Sequence, residues 1–146
     1  MADAVSYLSK NYEIQHMSTI ATLTWVALFA LWFRYAAVMW TNKKFISHMV
    51  KQSHNAPEKY CEFPFDQYYL DECKSTIADF DNHSKWPYCG SIMGWAFMAN
   101  FLENNESYTH FDIAWVANNT YKPFWRNPIT STGIWVESIS QYIKSL

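Results

Sequence analysis

Apolar residues are distributed unevenly along this chain, and their densest stretch comes early. From Met17 to Phe33 there is no charged side chain, and apart from Arg34 the apolar character runs on to Trp40, a stretch of 24 residues. Wound as a helix at about 1.5 Å per residue it measures about 36 Å, enough to cross a hydrocarbon core of roughly 30 Å. The pattern therefore predicts a transmembrane helix over 17–41. Directly after it, Thr41 to Asn55 places Phe45, Ile46, Met49 and Val50 on one face and Lys43, Lys44, His48 and Lys51 elsewhere, which is the pattern of a basic amphipathic helix. No breaker interrupts the chain before Pro57, so the span is expected to continue into a stalk over 42–56 as one helix from about Ser18 to His54.

Past Pro57 the pattern weakens into shorter units. Asp66 to Phe80 sets Tyr69, Leu70, Cys73, Ile77 and Phe80 at helical spacing. An uncharged run over 86–102 carries Gly90 and Gly94 at the spacing of close helix contacts, and reads as a helix buried against protein or as a second membrane segment. Thr109–Asn118 and Thr132–Ile143 are further helix candidates, separated by an extended aromatic segment with Pro123 and Pro128 over 120–128. The expected fold is an all-α membrane protein. It has a short N-terminal segment (1–16), one transmembrane helix (17–41), the basic stalk (42–56), and a small helical and extended aromatic-rich extrinsic domain (57–146).

Composition narrows this picture. With 19% aromatic against 16% charged residues the chain is not of the disordered class, and a formal net charge of -2 argues against a nucleic-acid partner. Asp3 and Glu13 precede the apolar run with only Lys10 between them, which does not suit a cleavable signal peptide, and the first arginine is Arg34, which does not suit a presequence. Lys10 lies before the span and Lys43, Lys44, Lys51 and Lys59 after it, so the positive-inside rule places the C-terminal domain on the cytosolic side or, in a mitochondrion, on the matrix side. Within the span, Ala27, Ala30, Arg34 and Ala37 share one stripe, an expected seam for a partner helix. Arg34, Lys43 and Lys44 are the candidates for holding an anionic phospholipid such as cardiolipin, or a partner carboxylate.

Reactive constellations are missing from the sequence pattern. Cys61, Cys73, His83 and Cys89 are separated by 11, 9 and 5 residues, which matches no compact zinc spacing. Asp79, Asp81 and His83 imitate the start of a calcium loop, but Ser84 stands where glycine is required and Gly90 where glutamate belongs. Neither a nucleophile elbow nor a phosphate loop is present around Gly90 and Ser91. The reading is therefore no catalytic residue, no metal, no cofactor and no enzyme. A span followed by a basic amphipathic helix resembles the internal import signals of mitochondrial inner-membrane proteins that lack a presequence. That resemblance covers this segment alone; taken with the uncleaved N-terminus, the eight tryptophans, the three glycines and the missing active-site constellation, it gives the expectation of a single-pass protein of the mitochondrial inner membrane, a non-catalytic accessory subunit of an energy-converting complex, a respiratory complex before an ATP synthase. It would act in assembly, stability and lipid binding alongside other subunits. The alternative is a signal-anchored secretory protein with a luminal binding domain, for which Asn82, Asn105 and Asn118 supply glycosylation sequons.

Overall fold

The computed structural model describes residues 1–53, 58–83, 85–104, 106–118 and 129–145. Helix α1 (Ala2–Asn11) opens the chain. The apolar run that follows is not one helix: it divides into strand β1 (His16–Ala21), a short helix α2 (Val26–Leu31) and strand β2 (Ala36–Trp40). The cause of the misleading pattern is burial on both faces. Ala36, Ala37 and Val38 are 0% exposed and Met39 is 1% exposed, and a strand covered on both sides reads as an unbroken hydrophobic run. Periodicity alone cannot separate such a run from a segment of buried helix. No helix among the described residues is long and apolar enough to cross a membrane. The expected all-α membrane fold is thereby corrected to a mixed α/β domain.

Helix α3 (Lys43–Ser53) follows β2, then strand β3 (Tyr60–Glu62), helix α4 (Gln67–Glu72), helix α5 (Gly90–Ala99), strand β4 (Ser107–Asp112) and helix α6 (Val136–Ser145). The four strands form one sheet in the order β1-β4-β2-β3. Strand β4 runs parallel to β1, with Met17 beside Tyr108 and Ala21 beside Asp112, and antiparallel to β2. Strand β3 pairs parallel with β2. Thr109–Asn118, expected as helix, begins instead as this second interior strand: Tyr108, His110 and Asp112 alternate with Thr109 and Phe111, a period of two in which both sets are buried.

Two cores sit on opposite faces of the sheet, as layered α/β packing requires. On one face Met17, Ala37, Met39 and Tyr108 meet Trp95, Ala96 and Met98 of α5 and Val5 of α1. On the other, Ala36, Val38 and Phe111 meet Ile46 and Met49 of α3, with Ile139 of α6 packed alongside. The apolar side of α3 is thus spent on the sheet and does not continue a span. Helix α4 is capped by Asp66, whose Oδ1 accepts the Tyr68 N–H at 2.9 Å. The helix predicted as far as Phe80 stops at Glu72, because the chain turns back on itself: Lys74 bridges Phe80, and the Asp81 N–H donates to the Cys73 carbonyl at 2.7 Å. The aromatic segment over 120–128 and Asn105 lie outside the described residues.

Candidate functional site

Because β1 and β4 are parallel and in register at Ala21 and Asp112, the segments that leave them emerge side by side, the Ile113 N–H donating to the Ala21 carbonyl at 2.9 Å. In open α/β sheets the crevice outside the carboxyl ends of the strands is where ligands bind. Here that end is organised by Asp112, buried to 1% exposure. Its Oδ1 accepts the backbone N–H groups of Leu23 (3.0 Å), Ala114 (3.2 Å) and Thr24 (3.4 Å). Its Oδ2 accepts the hydroxyls of Thr24 (2.6 Å) and Ser91 (3.1 Å), which are themselves 2.6 Å apart. A carboxylate taken from water needs such donors, and charge-assisted bonds of this kind are the strong ones. The result locks the loop after β1 to the first turn of α5.

Two glycines let the locked segments come close. A methyl group on Gly90 would stand 2.9 Å from Val26 Cγ2, and one on Gly94 would stand 2.8 Å from Leu23 Cδ2. Beyond this contact opens a cavity of about 390 Å³, with Leu23 and Val26 on one side and Met93 and Phe97 of α5 on another. Glu72 at the end of α4 and Asp81 also line it. At the outer side of the same loop Trp25 packs edge-on against Trp115 with ring centroids 4.5 Å apart.

Behind Asp112 in the sheet lies a second polar chain. Thr19 Oγ1 is 2.6 Å from the Tyr108 hydroxyl and 2.7 Å from His110 Nδ1, while the buried His110 Nε2 has no hydrogen-bond partner among the described residues. Burial holds the His110 pKa down to about 4, with the Asp112 charge pulling the other way, so the imidazole is neutral at pH 7.

Of the residues singled out from sequence, the fold keeps Ala30 and Arg34 on the wall of one pocket and separates the others. Ala27 and Ala30 lie on α2, Arg34 in the turn after it with its guanidinium carbon 5.9 Å from the Tyr35 ring centroid, and Ala37 inside β2 at 0% exposure. Lys43 stands 6.0 Å from the Trp40 ring centroid, and the backbone N–H of exposed Lys44 donates to Asn42 Oδ1 at 3.0 Å. They form no common stripe. Conversely, Thr24, Ser91 and Asp112 carried no sequence signal as a group; the one available hint was an aspartate closing the alternating strand pattern of Tyr108 and His110. Gly90 and Gly94 did show as a close-contact pair, though what approaches them is a loop and α2, not a membrane helix.

Comparison with known proteins fixes the class. Residues 1–140 match the model of the cytosol aminopeptidase family, catalytic domain. A probable cytosol aminopeptidase of a Sulfurihydrogenibium species is 32% identical over 143 residues, 98% of this chain and 28% of the relative. One of Rickettsia canadensis is 30% identical over 145 residues, 99% of this chain and 29% of the relative. The bottromycin maturation enzyme BotP superposes with a TM-score of 0.88 at 25% identity, over 99% of this chain and 32% of that one. The chain belongs to the cytosol aminopeptidase family, and it spans 28–29% of the length of the two relatives just described.

This membership overturns the functional expectations drawn from sequence. A non-catalytic accessory subunit of a mitochondrial inner-membrane complex, held by neighbouring subunits and cardiolipin, is replaced by a member of a peptidase family, and the expectation of no enzyme falls with it. The signal-anchored alternative hung on the same 17–41 segment, which is strand, short helix and strand. BotP has also been solved in complex with Mn. Among the described residues here, no group of three or more His, Cys, Asp or Glu side chains comes together in a way that could hold a metal ion. The described residues do not fit that ion.

Proposed function

We propose that this chain serves an aminopeptidase and that its cavity receives the side chain of the residue at the N-terminus of a peptide. The observation that carries this reading is the cavity itself: about 390 Å³, largely apolar, at the carboxyl end of two parallel strands, in a chain of this family. Asp112 is a positioning residue in this scheme. By gripping the backbone of Leu23 and Thr24 and the hydroxyl of Ser91 it keeps the two cavity walls at a fixed separation, so that a side chain is sorted by size and polarity rather than by loop movement.

The test is hydrolysis of aminoacyl coumarin amides by protein purified natively from the cells that make it. Release from unblocked amides and none from N-acetylated ones is the expected result. Met93→Trp, which fills the cavity, should lower kcat/KM for the leucyl amide about tenfold relative to the alanyl amide, the loss of a large share of one side chain's burial. Failure to release coumarin from any unblocked amide would falsify the aminopeptidase reading, and an unchanged leucyl-to-alanyl ratio would remove the cavity from it.

A further inference from the structure

We infer that this chain holds no divalent metal ion of its own, and that the ions of the aminopeptidase it serves are held by protein outside these 146 residues. The second half rests on the aminopeptidase reading above. Manganese, the ion solved with BotP, takes hard oxygen ligands such as carboxylates, and a hydrolytic site gathers about three protein ligands on one point with a position left open for water. All thirteen Asp and Glu side chains fall among the described residues, so the supply can be followed acid by acid. The deeply buried ones, which could hold an ion away from bulk water, are already engaged. Asp112 accepts five hydrogen bonds and Glu58 four, which fills the roughly four lone-pair sites of a carboxylate. Glu106 accepts the Asn104 N–H at 2.9 Å.

Nearer the surface the acids are engaged locally, each at a different place in the fold. Asp66 caps α4, Asp71 pairs with Lys74 at 2.8 Å and Glu103 with Lys10 at 3.2 Å. Glu62 accepts the Trp40 indole N–H at 3.1 Å and Glu137 the Gln141 amide at 3.2 Å. Asp3, Glu13 and Asp79 stand exposed to water. In the cavity beside α5, Glu72, Cys73, Asp81 and His83 share a wall without meeting as a metal-holding group. There Glu72 attends to the Tyr68 hydroxyl, pushing it up by charge and by a hydrogen bond. The Cys73 thiol donates to the Tyr69 carbonyl at 3.4 Å, and burial, then the charges of Asp81 and Glu72, push it up, which keeps it protonated and a poor ligand. His16 has a serine hydroxyl at each ring nitrogen, 2.8 and 3.0 Å away. Of the other donors, the His48 side chain and His54 lie outside the described residues, and two imidazoles fall short of the ligand set. What the chain brings to the crevice is the ordered end of β1 and β4, and other protein has to bring the ion.

Two measurements read the ion directly. In the first, the full chain is purified, stripped with a chelator and freed of it, shown to be folded by a cooperative urea transition, and added in excess to Mn²⁺ while the electron paramagnetic resonance signal of the aqueous ion is followed. An ion captured by protein leaves that signal. The expected result is full amplitude throughout; a loss that saturates at a fixed ratio of ions to chains overturns the inference, and does so equally if His48→Ala with His54→Ala restores the signal. In the second, extract from the cells that make the protein is fractionated by size without chelator. Divalent metals are counted in the fractions containing the chain, and the polypeptides are weighed after denaturation. Metal is expected only in fractions that also hold a second polypeptide, or a longer one containing this sequence. A metal-bearing fraction in which the 17.2 kDa chain is the sole polypeptide overturns the inference. If no fraction containing the chain hydrolyses an unblocked aminoacyl amide, the aminopeptidase reading fails and takes the second half with it. The resonance signal still decides the first half.

Discussion

Two buried acids, one on each side of the sheet, make nearly the same set of bonds to different ends. Glu58, 4% exposed, takes the N–H groups of Glu137 (2.8 Å) and Ser138 (2.9 Å), the Tyr60 hydroxyl (3.0 Å) and the Ser138 hydroxyl. It thereby supplies the cap of α6 from 80 residues away in sequence, meeting the first-turn N–H groups that the helix cannot satisfy itself. Asp112 likewise gathers backbone N–H groups and hydroxyls, but its donors belong to a loop and a helix start that border a cavity. The lesson is that a buried carboxylate rich in donors does not by itself mark a site. What separates the two is the empty space next to one of them.

Substitutions can break or sharpen that contrast. The largest effect is expected from removing either acid. Asp112→Ala leaves backbone N–H groups and two hydroxyls unpaired in the interior, at about 1–3 kcal/mol for each unsatisfied group before relaxation, so urea unfolding should show a loss of about 4 kcal/mol. It should also blur the discrimination among aminoacyl amides. Glu58→Ala should cost about 3 kcal/mol by the same reasoning, yet leave the leucyl-to-alanyl ratio at its wild-type value. A ratio that moves as much for Glu58→Ala as for Asp112→Ala breaks the comparison.

Next in size is an acid-dependent loss that belongs to the Asp112 side. The folded-state pKa of His110 is held at about 4, below the ordinary value of about 6.5, so between those values the unfolded chain binds more protons than the folded one. Its contribution is therefore fully present above about pH 6.5 and is lost as the pH falls toward 4, on the order of 3 kcal/mol in all. Urea midpoints measured from pH 7 to pH 4 should trace this fall. His110→Gln should remove its own share of the fall, leaving that of His16, which burial also holds at about 4.

The smallest effect concerns two tryptophans with positive φ, Trp32 at the end of α2 and Trp135 before α6. Trp32, at φ 55° and ψ -150°, ends α2 in a region used almost solely by glycine, and the residue is 69% exposed. Trp32→Gly relieves that strain while losing little packing, and should raise stability by about 1 kcal/mol. Trp135, at φ 79°, precedes α6 and packs against the core with Ile134 and Phe111, so Trp135→Gly should lower it by about 1–2 kcal/mol. Opposite shifts in melting temperature are the check.

What was legible in the sequence was local. The period over Thr41 to Asn55 is that of α3, and the apolar positions Phe45, Ile46, Met49 and Val50 are the ones packed on the sheet. The run over Met17 to Trp40 misled because it holds an edge strand, a six-residue helix and a strand buried on both faces, none of which breaks the hydrophobic run with a charge before Arg34. The candidate site was not legible at all in motif form. Thr24 and Asp112 are separated by 88 positions and Ser91 and Asp112 by 21, and the cavity takes only a few residues from each of several segments. Nothing in a period of two or of 3.6 encodes such a meeting; only the parallel register of β1 and β4 brings it about.

The near-contact of Gly90 with Val26 and of Gly94 with Leu23 has a consequence for descent as well as for packing. A side chain acquired at either glycine has nowhere to go until its opposite number shrinks, and a shrunken Leu23 or Val26 leaves a gap until the helix side grows. Neither change is neutral in isolation, so lineages are expected to travel between pocket shapes by paired replacements at positions roughly seventy apart. In a collection of descendants, these four columns would drift together while their immediate neighbours drift alone.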